Sequence, residues 1–104
     1  MDKNIDNAIN KYLALVKGNF SGIEGAFLFG SYAKGNSNED SDIDLALIFN
    51  KIDDSKRFDL QVQLMLLAAR VDTRIEAHPI SQEDFNSENP FAVEIKKTGI
   101  EIAA

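Results

Sequence analysis

Two acids, Asp42 and Asp44, stand at the mouth of a run that is apolar at all five positions, Leu45 to Phe49. The segment DIDLALIF reads as a strand that carries its acids to the edge of a core. Residues two apart on a strand point to the same face. Asp42 and Asp44 therefore converge, with Cα atoms roughly 6.5–7 Å apart. Their face continues with Ala46 and Ile48, so it is not simply a solvated polar face. Two uncompensated carboxylates at a low-dielectric edge repel each other. A hard divalent cation such as Mg²⁺, shared between them, would remove that cost. A lone D-x-D is more often a pair of solvated loop acids, so the segment before it matters.

That segment is LFGSYAKG. Ala26 to Phe29 read as a short strand buried on both faces. Gly30 and Ser31 follow it directly. Glycine lets a ligand approach the backbone closely. A strand-to-helix turn presents free N–H groups, which bind phosphate well. The serine hydroxyl adds another donor, and Gly35 lets the chain turn back. An isolated Gly-Ser would be read as a tight turn. A phosphate cradle and a carboxylate pair on adjacent strands seldom coincide by accident.

The remaining pattern frames these strands. Ile5, Ala8, Ile9, Tyr12, Leu13 and Val16 recur at helical spacing and predict an amphipathic first helix, stopped near Gly18. Ser55 offers an N-cap before RFDLQVQLMLLAARV. That stretch alternates like a strand, but its length and its Gln, Leu, Met and Ala content favour a helix. DTRIEAHPI predicts a third strand, ended by Pro79 and a Ser-Gln-Glu-Asp turn. Asn89, Pro90 and Gly99 bracket a last helix as N-cap, first position and C-cap. The order helix, strand, strand, helix, strand, helix predicts one α/β layer structure in a single domain spanning the 104 residues.

Charge and composition narrow the chemistry. The net charge is −6. Nucleic-acid binding draws chiefly on Lys and Arg neutralising phosphates, so direct binding of DNA or RNA is not expected. With no cysteine, the chain has no disulfide framework and no zinc-thiolate site. The single histidine, His78, cannot form a multi-histidine site. The N-terminal residues lack a signal-peptide core and no apolar run is long enough to cross a membrane. A cytoplasmic location without membrane contact is expected.

Gly30-Ser31, ten intervening residues, then Asp42-x-Asp44 resembles the signature of the DNA polymerase beta type nucleotidyltransferases. Both GSYAKG and SDIDLAL match its pattern. In size the chain is similar to the minimal nucleotidyltransferases, the MNT antitoxins of HEPN/MNT toxin–antitoxin pairs. NPFAVEIKKTGIEI is similar to their C-terminal segment. The resemblance implies a nucleotidyltransferase fold of the α+β type, a small mixed sheet of about three or four strands flanked by helices. It also implies a third carboxylate on a neighbouring strand. Glu76, mid-strand with Arg74 and His78 on its own face, is the first choice, and Asp72 is the rival. Glu76 could otherwise be a surface ion-pair partner of Arg74, and His78 a hydrogen-bonded strand residue. Gly30 and Ser31 would hold a nucleoside triphosphate, with ATP the family's commonest. Asp42, Asp44 and the third acid would hold two Mg²⁺ ions. An acceptor hydroxyl would attack the α-phosphate, with AMP transferred and pyrophosphate leaving.

One small domain holding a triphosphate leaves little chain for a second substrate. The expected acceptor is therefore a partner protein, which the resemblance makes a HEPN toxin modified on a tyrosine. Two other readings stay open: a module that silences its toxin by contact alone, and a small-molecule nucleotidyltransferase of the antibiotic-modifying sort. As a helix, residues 58–71 carry two apolar stripes. Phe58, Val62, Met65, Leu66 and Ala69 form one; Leu60, Leu64, Leu67 and Val71 form the other. A helix on a sheet needs only one. The second stripe, Leu60 to Val71, is either covered within the chain or an interaction surface for a homo- or hetero-oligomer.

Overall fold

The computed structural model describes residues 3–38 and 40–102. Helix α1 (Lys3–Asn19) leads into strand β1 (Ile23–Phe29), a single-turn helix α2 (Ser31–Lys34) and strand β2 (Ile43–Phe49). Helix α3 (Arg57–Ala69), strand β3 (Ile75–Ser81), a short helix α4 (Gln82–Phe85), helix α5 (Pro90–Thr98) and strand β4 (Ile100–Ile102) follow. The four strands form one mixed sheet in the order β3-β2-β1-β4. β1 runs antiparallel to β2 and β4, and β2 runs parallel to β3. This α+β sheet of four strands is the fold class expected from the sequence.

Period-2 alternation divides the sheet's side chains between two unequal cores. On one face α1 and α3 cover Ala26, Leu28, Ile43, Leu45, Leu47, Phe49, Ile75 and Ala77 completely. Tyr12 lies at the centre of this layer, fully buried. Its hydroxyl donates to the Leu64 carbonyl at 2.9 Å and so ties α1 to α3. Burial pushes the Tyr12 pKa up, which keeps that donor protonated. The other face has a smaller core of Ile48, Ile80 and Ala92, with Phe27, Phe85 and Phe91 packed on it. α4 and α5 therefore cover only part of that face. Asp44 and Glu76 share it, toward the end where β2 and β3 begin.

The structure corrects several expectations. Leu64 and Leu67 are core residues, and Leu60 and Val71 are half-buried against the same core. The Leu60, Leu64, Leu67 and Val71 stripe is thus covered within the chain and is not a free partner surface. The exposed stripe is the opposite one, with Phe58, Met65 and Leu66 in solvent. Ser55 is not the helix cap. Asp53 accepts from its N–H and its hydroxyl to start a 3-10 turn, Asp54–Lys56. β3 does not stop at Pro79 but runs through it to Ser81. Proline is tolerated there because β3 is an edge strand, where no neighbour needs its missing N–H. Gln61 on α3 donates to the Ala77 carbonyl at 2.8 Å. Ser81 caps α4, turning the expected acidic turn into a helical one. Asn89 and Pro90 open α5 as expected, with Asn89 accepting from the Phe91 N–H.

Candidate active site

Parallel pairing brings β2 and β3 into a register that sets Asp44 opposite Glu76 and Ala46 opposite His78. Successive same-face residues thus bring acids and imidazole together. Asp44, Glu76 and His78 each offer a ligand atom, and the three atoms lie within 4.8 Å of one another. Among the described residues no other group of this kind forms. Asp44 and His78 are half-buried and Glu76 is exposed. The site is a shelf at the open end of the sheet's thinly covered face.

Gly30 makes room for this shelf. It follows Phe29, which pairs with Asp44 across β1 and β2. Its backbone sits at φ 74°, ψ −151°, a corner of conformational space reserved essentially for glycine. A Cβ placed there would fall against Oδ2 of Asp44. Sequence reasoning assigned this glycine to a ligand's approach. The Asp44 carboxylate makes a second demand on it. Ser31 opens α2, half-buried beside it.

Asp42 stands immediately before β2, exposed, and its carboxylate is outside the group formed by Asp44, Glu76 and His78. Asp72 is committed elsewhere. It accepts from the Arg74 N–H at 2.9 Å and from Nε and Nη2 at 3.1 and 2.8 Å. The Arg74 guanidinium holds the Asp72 carboxyl below the usual carboxylate range. That fork ties down the turn before β3 and leaves Glu76, not Asp72, beside Asp44.

His78 is the residue that the sequence reading undervalued. It is a residue of strand β3 as expected, but its ring Nε2 is shielded from solvent, makes no hydrogen bond and lies 3.5 Å from Oδ1 of Asp44. The signal was present, since Glu76-x-His78 repeats the spacing of Asp42-x-Asp44 on one strand face. The donor set fits a divalent cation, with two carboxylates and an imidazole nitrogen that makes no hydrogen bond converging. A cavity of about 520 Å³ opens beside Glu76 and His78, lined also by Gln61, Met65 and Thr73. A larger hollow of about 890 Å³ lies by Tyr32, Asn38 and Arg74 and contains none of the site acids. Chemistry rather than size therefore selects the site.

The fold is similar to that of known nucleotidyltransferase structures. One match is a chain from a complex of tri-AMPylated HEPN toxin with MNT antitoxin from Shewanella oneidensis. It is 19% identical with a TM-score of 0.60, over 93% of this chain and 70% of that one. A second comes from a toxin–antitoxin structure with AMP-PNP, 23% identical with a TM-score of 0.61, over 88% and 69% of the two chains. A third is described as a minimal nucleotidyltransferase: 21% identity, TM-score 0.59, covering 98% of this chain and 97% of that one. No curated protein gives a significant match. The profile of the polymerase beta nucleotidyltransferases, in contrast, matches residues 7–104, nearly the whole sequence. With Gly30-Ser31 and Asp42-x-Asp44 in place at the sheet's open end, the chain belongs to the polymerase beta nucleotidyltransferase family.

Proposed function

We propose that the protein is an antitoxin that transfers AMP from ATP to a tyrosine hydroxyl of a partner HEPN toxin. The observation that carries the reading is the register pairing Asp44 with Glu76 across β2 and β3, beside the Gly30-Ser31 turn. Structural neighbours whose complexes hold an AMPylated HEPN toxin or AMP-PNP support the choice of partner and nucleotide. Gly30 and Ser31 would hold the triphosphate, and Asp42, Asp44 and Glu76 the divalent cations, two Mg²⁺ ions in the simplest case. Bound cations would supply charge neutralisation at the phosphates. Asp42, exposed at the mouth of β2, would join Asp44 from the solvent side.

In the transfer, the acceptor oxygen forms a bond to the α-phosphorus. The bond from that phosphorus to the bridging oxygen of the β-phosphate breaks. Pyrophosphate leaves with the electron pair. Glu76, exposed and paired in register with Asp44, would accept the hydroxyl proton. The phenylalanine rings of Phe29 and Phe91 flank the shelf at 5.3 Å from one another. They give its inner wall an apolar surface against which an aromatic acceptor can pack.

The test is to incubate the protein with its toxin, ATP and Mg²⁺ and to weigh the toxin. An added AMP on a tyrosine, lost with Asp44→Asn, is the expected result. A toxin silenced at unchanged mass would overturn transfer in favour of inhibition by contact.

A further inference from the structure

The His78 ring is held in place by its neighbours. Phe29 packs edge-on against it at 5.1 Å between centroids, and Phe91 lies at 6.0 Å. These contacts aim Nε2 at Asp44, whose Oδ1 is 3.5 Å away. That is too long for a hydrogen bond. Although 40% of the side chain is exposed, Nε2 lies on its shielded edge and makes no hydrogen bond. One ligand atom of each of Asp44, Glu76 and His78 lies within 4.8 Å of the other two, close enough for a single cation to be shared among them.

We propose that His78 is itself a metal ligand through Nε2. Its imidazole gives the site a mixed oxygen and nitrogen character. Beside the Mg²⁺ that the carboxylates would hold in the reaction, an imidazole ligand raises the site's affinity for a first-row transition-metal dication more than its affinity for Mg²⁺, which favours an all-oxygen shell. The inference rests on the reading that Asp44 and Glu76 hold the reaction's cation, and the experiment separates the two.

His78 is the only histidine in the sequence. In untagged protein without nucleotide, any imidazole coupling to a bound metal must come from it. Pulsed EPR of the Mn²⁺ complex, with protein labelled with ¹⁵N-histidine, should show a ¹⁵N coupling that disappears in His78→Gln. Calorimetry should show Co²⁺ affinity falling about tenfold or more in His78→Gln, with Mg²⁺ affinity moving less than about threefold. Asp44→Asn should lose both cations. A wild-type complex with no ¹⁵N coupling, whose cation is still lost in Asp44→Asn, would overturn the histidine ligand and leave the carboxylate site standing. Unchanged binding in Asp44→Asn together with no coupling would overturn both. The wild-type spectrum decides the question even if His78→Gln fails to fold.

Discussion

Gly30 and Gly35 provide a matched pair of perturbations. Both have positive φ, 74° and 75°. Around a Cβ at Gly35 there is open space, whereas a Cβ at Gly30 falls against the Asp44 carboxylate. Gly35 occupies the left-handed helical region at ψ 15°. Alanine there costs about 1–2 kcal/mol of backbone strain. For a domain near this size that lowers Tm by about 4–16 °C. Gly30 at ψ −151° carries about 1–3 kcal/mol of strain with any side chain. The displacement of Asp44 comes on top of that. Gly30→Ala should therefore melt lower than Gly35→Ala. It should also lose cation binding, because the Asp44 carboxylate, one member of the group with Glu76 and His78, has to swing away from Gly30. Gly35→Ala should keep the wild-type affinity. Melting by circular dichroism and titration with Co²⁺ read the two effects separately. A Gly30→Ala protein that is folded and binds Co²⁺ as wild type does would refute the claim that this glycine exists to seat the aspartate.

Glu76→Gln should reduce AMP transfer far more than Asp72→Asn, measured on the purified toxin under single-turnover conditions. The reverse ranking would move the third acid to Asp72. Asp72 should instead show itself in acid stability. Its folded pKa is depressed by Arg74, so its contribution is present above the unfolded pKa of about 3.9 and is lost as pH falls through the folded value. Urea midpoints followed downward from pH 5 should therefore fall more steeply in wild type than in Asp72→Asn. On α3, Leu64→Ala should cost about 2–5 kcal/mol, since Leu64 is fully buried. Leu66→Ser, at a position 59% exposed, should stay within about 0.5 kcal/mol. Equal losses at the two positions would reverse the assignment of the helix faces.

Much of this arrangement was legible because period and spacing carry it. The first helix buries Ile5, Ile9, Tyr12, Leu13 and Val16, all residues picked out by their helical spacing. β2 was readable from its apolar run, and the α5 cap from Asn89-Pro90. What failed needed three-dimensional information. The two stripes of α3 are equally apolar in sequence, and only the packing of α1 and the sheet decides which one is buried. Pro79 reads as a stop signal unless the strand is known to be an edge. The register between β2 and β3 depends on a crossover through α3. Glu76 could therefore be favoured as the third acid, but the closing of His78 on Asp44 could not be foreseen. β4 is three residues long, too short to carry an alternation.

The edge formed by β3 has a consequence for how the protein meets others of its kind. Pro79 has no N–H to offer, so its outward position costs the sheet nothing. In a parallel strand Ala77, two residues earlier, points its carbonyl the same way, and Gln61 already occupies that carbonyl. Two successive sites on the rim at which an incoming strand would dock are thus spent. Among the described residues the opposite rim, β4, offers three. Neither rim is a good template for adding a strand, and this is how natural sheets avoid growing into fibrils.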